Sequence, residues 1–215
     1  MMSVQRRHAL ALLFGFLAAL AASGGIAQTA DTSSPPRVEL QGRALLAALR
    51  GGGYILYFRH TSTDFGQYDE RMTGYEDCAR QRNLTDAGRA EARAIGQALR
   101  ELEIPIADVL ASPFCRTMET ARLMFGRAAA APTVRGGPAQ PESADRYAEL
   151  RNLLATPVAR GTNLAIASHG NPFRAVASGQ YLAEGEAAVI APRGKDGFLV
   201  VARIRKDEWL ALSAR

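Results

Sequence analysis

The chain has 215 residues, of which 47% are hydrophobic and 22% charged, and its formal net charge is +5. This length supports one domain with its own core and does not require two. The charge is mild, the basic residues form no blocks, and only Lys195 and Lys206 are lysines, so we expect no nucleic-acid partner.

The first 27 residues have the pattern of a secretory signal peptide. Arg6 and Arg7 precede an uncharged apolar run at residues 9–22, and residues 25–27 offer a small-x-small cleavage site. The apolar run has 14 residues, whereas a membrane-spanning helix needs about 20. We therefore expect a cleaved signal, no stable membrane anchor, and a periplasmic or secreted protein. The arginine pair leaves open whether general secretion or twin-arginine export is used.

Residues 28–37 are small, polar and proline-containing, which predicts a flexible leader before a domain at residues 38–215. The continuous apolar and aromatic run at residues 54–58 predicts a strand that is buried on both faces. This strand ends at Arg59 and His60, and a long polar stretch without periodicity follows it.

Helices are predicted from apolar periodicity and from capping signals. Thr85 is a good N-cap, Pro113 stands where a helix can begin, and Asn171 with Pro172 fits the cap and first turn of another helix. The helices predicted in this way cover residues 39–50, 85–101, 113–125, 144–154 and 171–182. The proline-containing segment at residues 127–143 predicts a loop.

Further short apolar runs predict strands that alternate with these helices. They lie at residues 109–111, 164–167, 187–190 and 198–204. Strands that alternate with helices indicate an α/β fold, a three-layer sandwich whose central, largely parallel sheet is flanked by helices on both faces.

Three cationic or titratable residues follow the ends of predicted strands. His60 and His169 come directly after two buried strands, and Arg116 follows the strand at residues 109–111. Because ligands of open α/β sheets gather beyond the carboxyl ends of the strands, we expect these side chains to meet in one crevice. Arg116 also lies near a helix start, where free backbone N–H groups attract anions. The arrangement predicts a phosphate pocket that contains a nucleophile.

Four ordered segments carry a family resemblance. Residues 57–63 read YFRHTST, residues 84–92 read LTDAGRAEA, residues 112–121 read SPFCRTMETA, and residues 168–170 read SHG. They resemble the Arg-His, Leu-Thr-x-x-Gly, Ser-Pro-x-x-Arg and second His-Gly motifs of the histidine phosphatase superfamily, which also includes the phosphoglycerate mutases. The resemblance covers roughly residues 53–205.

The resemblance implies a role for each matching residue. His60 is expected to attack phosphorus in line and to carry the phosphoryl group. Arg59, Arg116 and His169 are expected to surround the equatorial oxygens and to stabilise charge in the transition state. Thr63 matches a position that often adds a hydroxyl to the phosphate. These roles agree with the chemistry, since neutral imidazole is a good nucleophile and phosphoryl transfer depends on positioning and electrostatics.

The proton donor for the leaving group departs from the family pattern. The family commonly places a carboxylic acid after the Arg-x-x-x-Thr-Ala helix or directly after the second histidine. Here Gly170 stands after His169, and Glu142, Asp145 and Glu149 lack the family's sequence context. Glu186, at the start of a later strand, is the positional candidate for this acid. Some small family members that act on phosphohistidine work without one.

Cys78 and Cys115 are the two cysteines of the chain. In an oxidising compartment they can form a disulfide, and the alternative is two buried thiols. We favour the bridge because Cys115 adjoins Arg116 and Cys78 lies in a polar stretch.

These observations predict an exported, metal-independent phosphomonoesterase that needs no cofactor and acts on a phosphorylated small molecule or an envelope phosphate. Two alternatives remain open. One is a non-catalytic phosphate-binding module of the same fold. The other is a phosphohistidine phosphatase or phosphotransfer protein.

Overall fold

A six-stranded sheet forms the centre of the protein in a computed structural model that describes residues 39–135 and 145–213. The strands are β1 (Ile55–Arg59), β2 (Ile106–Ala111), β3 (Ala129–Ala130), β4 (Asn163–Ser168), β5 (Ala187–Pro192) and β6 (Phe198–Ile204). Their order is β3-β2-β4-β1-β5-β6, and within the described residues only β5 runs against the others. The signal peptide and leader predicted at residues 1–27 and 28–37 lie outside the described residues.

Five α-helices connect or flank these strands. They are α1 (Gly42–Gly51), α2 (Asp86–Glu101), α3 (Cys115–Phe125), α4 (Ala148–Ala155) and α5 (Gly170–Val176). Short 3₁₀ turns lie at Cys78–Arg80, Pro132–Arg135, Gly194–Asp196 and Leu210–Ser213. In the part of the chain that the structure describes, no helix has the length and apolar character needed to cross a membrane.

The predicted α/β architecture with a largely parallel sheet is confirmed by this strand order. Helices cover both faces of the sheet, and the side chains of β1 alternate between two cores. Leu56 and Phe58 pack into a cluster that includes residues of α1, α2 and α3. Ile55 and Tyr57 pack into a second cluster that includes residues of α4 and α5. A strand with apolar side chains on both faces requires cover on both sides of the sheet.

Several predicted boundaries differ from the observed ones. The segment predicted as a loop at residues 127–143 contains the short strand β3 and a 3₁₀ turn. Helix α3 begins at Cys115 rather than at Pro113, and α5 begins at Gly170 with His169 as its N-cap. Helix α5 also ends at Val176, well before the predicted residue 182. The prediction of Thr85 as an N-cap is confirmed, since its hydroxyl accepts a hydrogen bond from the Gly88 N–H.

The parallel pairing of β1 with β4 places two chain segments at one edge of the sheet. Arg59 lies opposite Ser168 in the ladder, and the His60 N–H donates to the Ser168 carbonyl. Strand β2 also pairs with β4 in parallel, with Ala111 opposite Ala167. The carboxyl ends of β1, β4 and β2 therefore lie next to one another at the same edge of the sheet, as the sequence predicts.

A disulfide joins Cys78 to Cys115, with 5.7 Å between their Cα atoms. The bridge that we favoured from the sequence is therefore present. It ties the polar segment after β1 to the first residue of α3. Gln81 reinforces this attachment, because its side chain accepts from the Cys115 N–H and donates to the Tyr75 carbonyl.

Helix α2 approaches the segment after His60 closely at Gly88. A Cβ built on Gly88 would lie 2.0 Å from the Ser62 carbonyl oxygen, which is backbone and has little freedom to move. The Thr85 N–H also donates to this carbonyl. The glycine is therefore required at this position by packing, and it allows α2 to support the segment that begins at His60.

We expect Gly88→Ala to destabilise the protein by about 1–3 kcal/mol, the usual range for overpacking a well-packed contact. Urea unfolding of the residue 28–215 protein measures this change. Gly51→Ala is the matched control, because a Cβ at Gly51 meets nothing within 4 Å. Equal stability of the two variants would contradict the packing role of Gly88.

Candidate active site

A cavity of about 240 Å³ lies at the sheet edge where β1, β2 and β4 end. Among the described residues its lining contains five arginines, two histidines and no carboxylate. The charged or titratable members are Arg59, His60, Arg82, Arg116, Arg135, Arg146 and His169, to which Tyr147 and Tyr181 add hydroxyls. The four residues that we expected to form the phosphate pocket are thus brought together. The cavity has the chemistry of an anion site.

His60 is buried at the base of this cavity, with 1% of its surface exposed. Its Nδ1 lies 2.9 Å from the Thr61 carbonyl oxygen. A carbonyl can only accept, so Nδ1 carries the proton and Nε2 keeps its lone pair. Burial, followed by the charges of Arg116, Arg59 and Arg82, lowers the pKa of His60 to about 3. The imidazole is therefore neutral near pH 7, which is the form that acts as a nucleophile.

His169 lies across the cavity, with its ring centroid 5.6 Å from that of His60. Its Nε2 is 2.8 Å from the Ser112 hydroxyl, and its backbone carbonyl accepts from the Tyr57 hydroxyl. Burial lowers the pKa of His169 well below its usual value, and Arg116 contributes in the same direction. Ser112, the first residue of the Ser-Pro-x-x-Arg motif, had no role predicted from the sequence, and its hydroxyl holds the His169 ring in place.

The Arg59 guanidinium, which lines the cavity, contacts two partners through its terminal nitrogens. One terminal nitrogen donates to the Leu182 carbonyl at 2.9 Å, and the other lies 3.4 Å from a Glu184 carboxylate oxygen. The guanidinium also stacks over the ring of Tyr181 at 5.1 Å. These contacts fix the direction of the side chain while leaving it among the cavity-lining residues.

Arg116 is nearly fully buried, and it is paired with a residue of the polar segment after β1. Its Nη1 donates to Asp69 at 3.0 Å and to the Arg82 carbonyl at 3.3 Å. The guanidinium stacks on Phe114 at 4.5 Å. The same Asp69 oxygen accepts from the Arg82 N–H. The polar segment therefore positions Arg116 and contributes Arg82 to the cavity.

Arg82, Arg135 and Arg146 are cavity residues that sequence analysis did not identify. Arg82 ends the polar segment, Arg135 ends a 3₁₀ turn, and Arg146 precedes α4. None of these positions follows a predicted strand or belongs to a motif. The only sequence signal was the preference for arginine over lysine, which suits phosphate but did not indicate positions.

Glu184 is a further residue that was not identified from the sequence. Its carboxylate lies 3.8 Å from Nδ1 of His60 and accepts from the Thr63 hydroxyl at 2.7 Å. The Thr63 hydroxyl, which we expected to contact phosphate, is thus used to hold Glu184, and Thr63 does not line the cavity. Glu184 lies on the Nδ1 side of His60 and is absent from the cavity lining.

Glu186, the candidate proton donor, is placed away from the cavity. Its two carboxylate oxygens accept from Arg203 at 2.7 and 2.8 Å, and one also accepts from the Ala183 N–H. Both oxygens of the Glu186 carboxylate are thus occupied by the bidentate pair with Arg203. The structure therefore gives no support to Glu186 as the acid that protonates a leaving group.

Two other observations concern where else in the described residues an active site could lie. No group of three or more His, Cys, Asp or Glu side chains within residues 39–135 and 145–213 is arranged to hold a metal ion. A larger groove of about 910 Å³ lies over the disulfide, and neither histidine lines it. The small cationic cavity is therefore the candidate active site.

Comparison with known proteins agrees with this geometry. The model of the histidine phosphatase superfamily (branch 1) matches residues 55–137. The fold resembles that of the protein histidine phosphatase SixA, solved with tungstate, at 17% identity and a TM-score of 0.50 over 71% of this chain and 97% of that one. It also resembles phosphoserine phosphatase from Entamoeba histolytica, solved with 3-phosphoglyceric acid, at 13% identity and a TM-score of 0.50 over 73% and 98%. No curated protein matches the sequence.

The burial of neutral histidines predicts that folding stability falls in mild acid. Below pH 6.5 the unfolded chain binds protons at histidine, whereas folded His60 stays neutral to about pH 3 and the pKa of His169 is shifted in the same direction. The unfolded state then binds more protons, so the free energy of unfolding decreases as the pH falls, by up to about 1.4 kcal/mol per pH unit for each histidine.

Urea unfolding between pH 5 and pH 7 measures this slope. His60→Asn removes one of the two groups, and we expect it to reduce the slope by about half. An unchanged slope in this variant would contradict the assignment of His60 as a buried neutral group.

Proposed function

We propose that this chain is a phosphatase of the histidine phosphatase superfamily, whose model matches residues 55–137, and that its nucleophile is Nε2 of His60. The observation that carries the proposal is the state of this side chain. His60 is buried among arginines, and its Nδ1 proton is donated to the Thr61 carbonyl, so that Nε2 is the free nucleophilic atom. The guanidiniums supply the positive charge that phosphoryl transfer requires, so the reaction proceeds without a metal ion.

The first step transfers the phosphoryl group to the protein. Nε2 of His60 forms a bond to phosphorus, and the bond from phosphorus to the leaving oxygen breaks with its electron pair. Arg59, Arg116 and His169 surround the equatorial oxygens, and Arg82 adds a fourth donor at the same wall. Fixed donors aimed at developing charge act strongly in a buried site.

The second step hydrolyses the phosphohistidine. Water forms a bond to phosphorus, the P–N bond breaks, and the electron pair returns to Nε2, while the protons of the attacking water stay on the released phosphate or pass to solvent. While phosphorylated, the ring carries positive charge, because its proton remains on Nδ1, from which it is donated in a hydrogen bond to the Thr61 carbonyl. The Glu184 carboxylate, 3.8 Å from Nδ1, stabilises this charged ring. Glu184 thus acts as a positioning and electrostatic residue rather than as a proton donor to substrate.

A specific observation favours a particular leaving group. No carboxylate lines the cavity among the described residues, so none of these residues supplies a carboxylic acid that protonates the departing group. Substrates whose leaving group departs readily are then preferred. Phosphohistidine is such a substrate, and a phosphohistidine phosphatase is the second candidate function.

We also propose that the protein is exported. The sequence of residues 1–27 supports this, and so does the disulfide between Cys78 and Cys115, because structural disulfides persist mainly in oxidising compartments. A phosphorylated small molecule or a phosphate group of the cell envelope is the corresponding substrate.

Incubation of the residue 28–215 protein with a ³²P-labelled aryl phosphate tests the nucleophile. We expect turnover that a chelator does not reduce, and a transient protein label that is stable in base and lost in acid, as phosphohistidine is. His60→Asn is expected to lower kcat by at least about a thousandfold and to abolish the label, since loss of a nucleophile removes the covalent path.

Thermal unfolding of His60→Asn at pH 7.5 provides the control for folding. Turnover that requires added metal, or a label that persists in the folded variant, would overturn the mechanism. Saturable binding of phosphate with no turnover of any phosphomonoester would instead indicate a non-catalytic binding module.

The leaving-group proposal predicts a steep dependence of kcat/KM on leaving-group pKa. Across a series of substituted aryl phosphates, we expect the rate to fall as the phenol becomes more basic, because no carboxylic acid among the described lining residues assists its departure. Glu186→Gln is expected to leave this slope unchanged, since Glu186 pairs with Arg203. A slope that becomes steeper only when Glu186 is replaced would show that this residue is the acid after all.

A further inference from the structure

The cavity contains more positive charge than its neighbouring carboxylates balance. Arg59 is paired with Glu184, and Arg116 is paired with Asp69. Within the described residues, Arg82, Arg135 and Arg146 have no carboxylate partner, and all three line the cavity. Three uncompensated guanidiniums therefore converge on a space of about 240 Å³.

These three arginines are not solvated surface residues. Each is partly buried, and the Nε atoms of Arg82 and Arg146 are buried without a hydrogen-bond partner. Withdrawing a charge from water is costly unless a counter-charge or hydrogen bonds compensate for it. An anionic ligand in the cavity supplies this compensation.

Arg135 lies close to the groups that bind the transferred phosphoryl. Its guanidinium stacks on Phe114 at 5.2 Å, and Arg116 stacks on the same ring at 4.5 Å. Phe114 also contacts the ring of His169, with 5.1 Å between centroids. Arg146 stacks on Tyr147, another residue of the lining. A group held by Arg135 therefore lies in the same small cavity as a phosphoryl group held by Arg116 and His169.

We propose that the substrate carries a second phosphate close to the transferred one, and that Arg135 and Arg146 bind it. This inference rests on the proposed function, because it places the transferred phosphoryl at His60. A phosphate monoester supplies only two negative charges against three uncompensated guanidiniums, which leaves one positive charge, and a second phosphate supplies the negative charge that offsets it. Bidentate pairing of arginine with phosphate gives this recognition its geometry.

The rest of the substrate has room in an adjoining cavity. A space of about 440 Å³ shares Arg82, Phe114 and Arg135 with the active site, and Tyr68 and Met72 are among its other lining residues. Tyr68 is 67% exposed, so an aromatic face is available beside this opening. The adjoining cavity therefore continues from the arginines that bind the second phosphate.

Calorimetric titration with two phosphonates tests the proposal. Methylphosphonate carries one anionic phosphorus group, methylenebisphosphonate carries two, and neither can be hydrolysed at its P–C bonds by phosphoryl transfer to His60. In metal-free buffer at pH 8 and 0.15 M salt, we expect the bisphosphonate to bind at least tenfold more tightly. The double variant Arg135→Gln/Arg146→Gln is expected to lose most of this preference and to keep its affinity for methylphosphonate within about threefold.

Two control variants separate local binding from overall charge. Arg93→Gln/Arg205→Gln removes the same charge at exposed positions and is expected to keep the preference. Arg135→Lys/Arg146→Lys keeps the charge and is expected to lose part of the preference, because lysine lacks the planar fork. Equal affinity of the wild type for the two probes, or a preference that survives Arg135→Gln/Arg146→Gln, overturns the proposal.

The titration does not depend on turnover, so the two proposals fail separately. Loss of aryl phosphatase activity with the bisphosphonate preference intact would refute the proposed function alone. Aryl phosphate turnover without the preference would refute the second phosphate site alone.

Discussion

The parallel pairing of β1 with β4 is the constraint on which the site depends. The ladder places Arg59 opposite Ser168, the last residues of the two strands, and a histidine directly follows each of them. The backbone bond from the His60 N–H to the Ser168 carbonyl holds this end of the sheet closed. Because β1 is buried on both faces, a shift of register by one residue would turn its side chains to the opposite core. The distance between the two imidazoles is therefore set by the cores of the protein.

The electrostatics of the cavity follow from this burial. Two neutral imidazoles lie among guanidiniums, and each cation makes protonation of a neighbouring imidazole less favourable. The low pKa of His60 thus follows first from burial and then from the neighbouring guanidiniums. In the proposed mechanism, an anionic substrate offsets the charge of the arginines when it enters. A positive charge on the imidazole ring then becomes less unfavourable. The same groups can then bind substrate and support a phosphorylated histidine.

The polar segment after β1 is ordered by attachments at several points rather than by regular structure. The disulfide ties Cys78 to the start of α3, Gln81 bonds to Tyr75 and Cys115, and Asp69 holds Arg116. At the other end, Gly88 lets α2 lie against the Ser62 carbonyl. These contacts position Arg82 in the cavity lining. A segment whose sequence shows no hydrophobic periodicity is therefore part of the site.

The sequence by itself determined the elements and residues that local pattern controls. Buried apolar runs predicted five of the six strands, capping predicted the start of α2, and the strand ends predicted that His60, His169 and Arg116 meet. Tertiary structure decided which residues from irregular segments join them, since the positions of Arg82, Arg135 and Arg146 depend on long-range contacts. It also decided which of two nearby glutamates, Glu184 or Glu186, lies beside His60, although only Gly185 separates them. That glycine adopts a left-handed φ of 77°, and Glu184 then lies beside His60 whereas Glu186 pairs with Arg203. Such a choice depends on the backbone turn and on the partners available in space, and neither is encoded by the spacing of two glutamates.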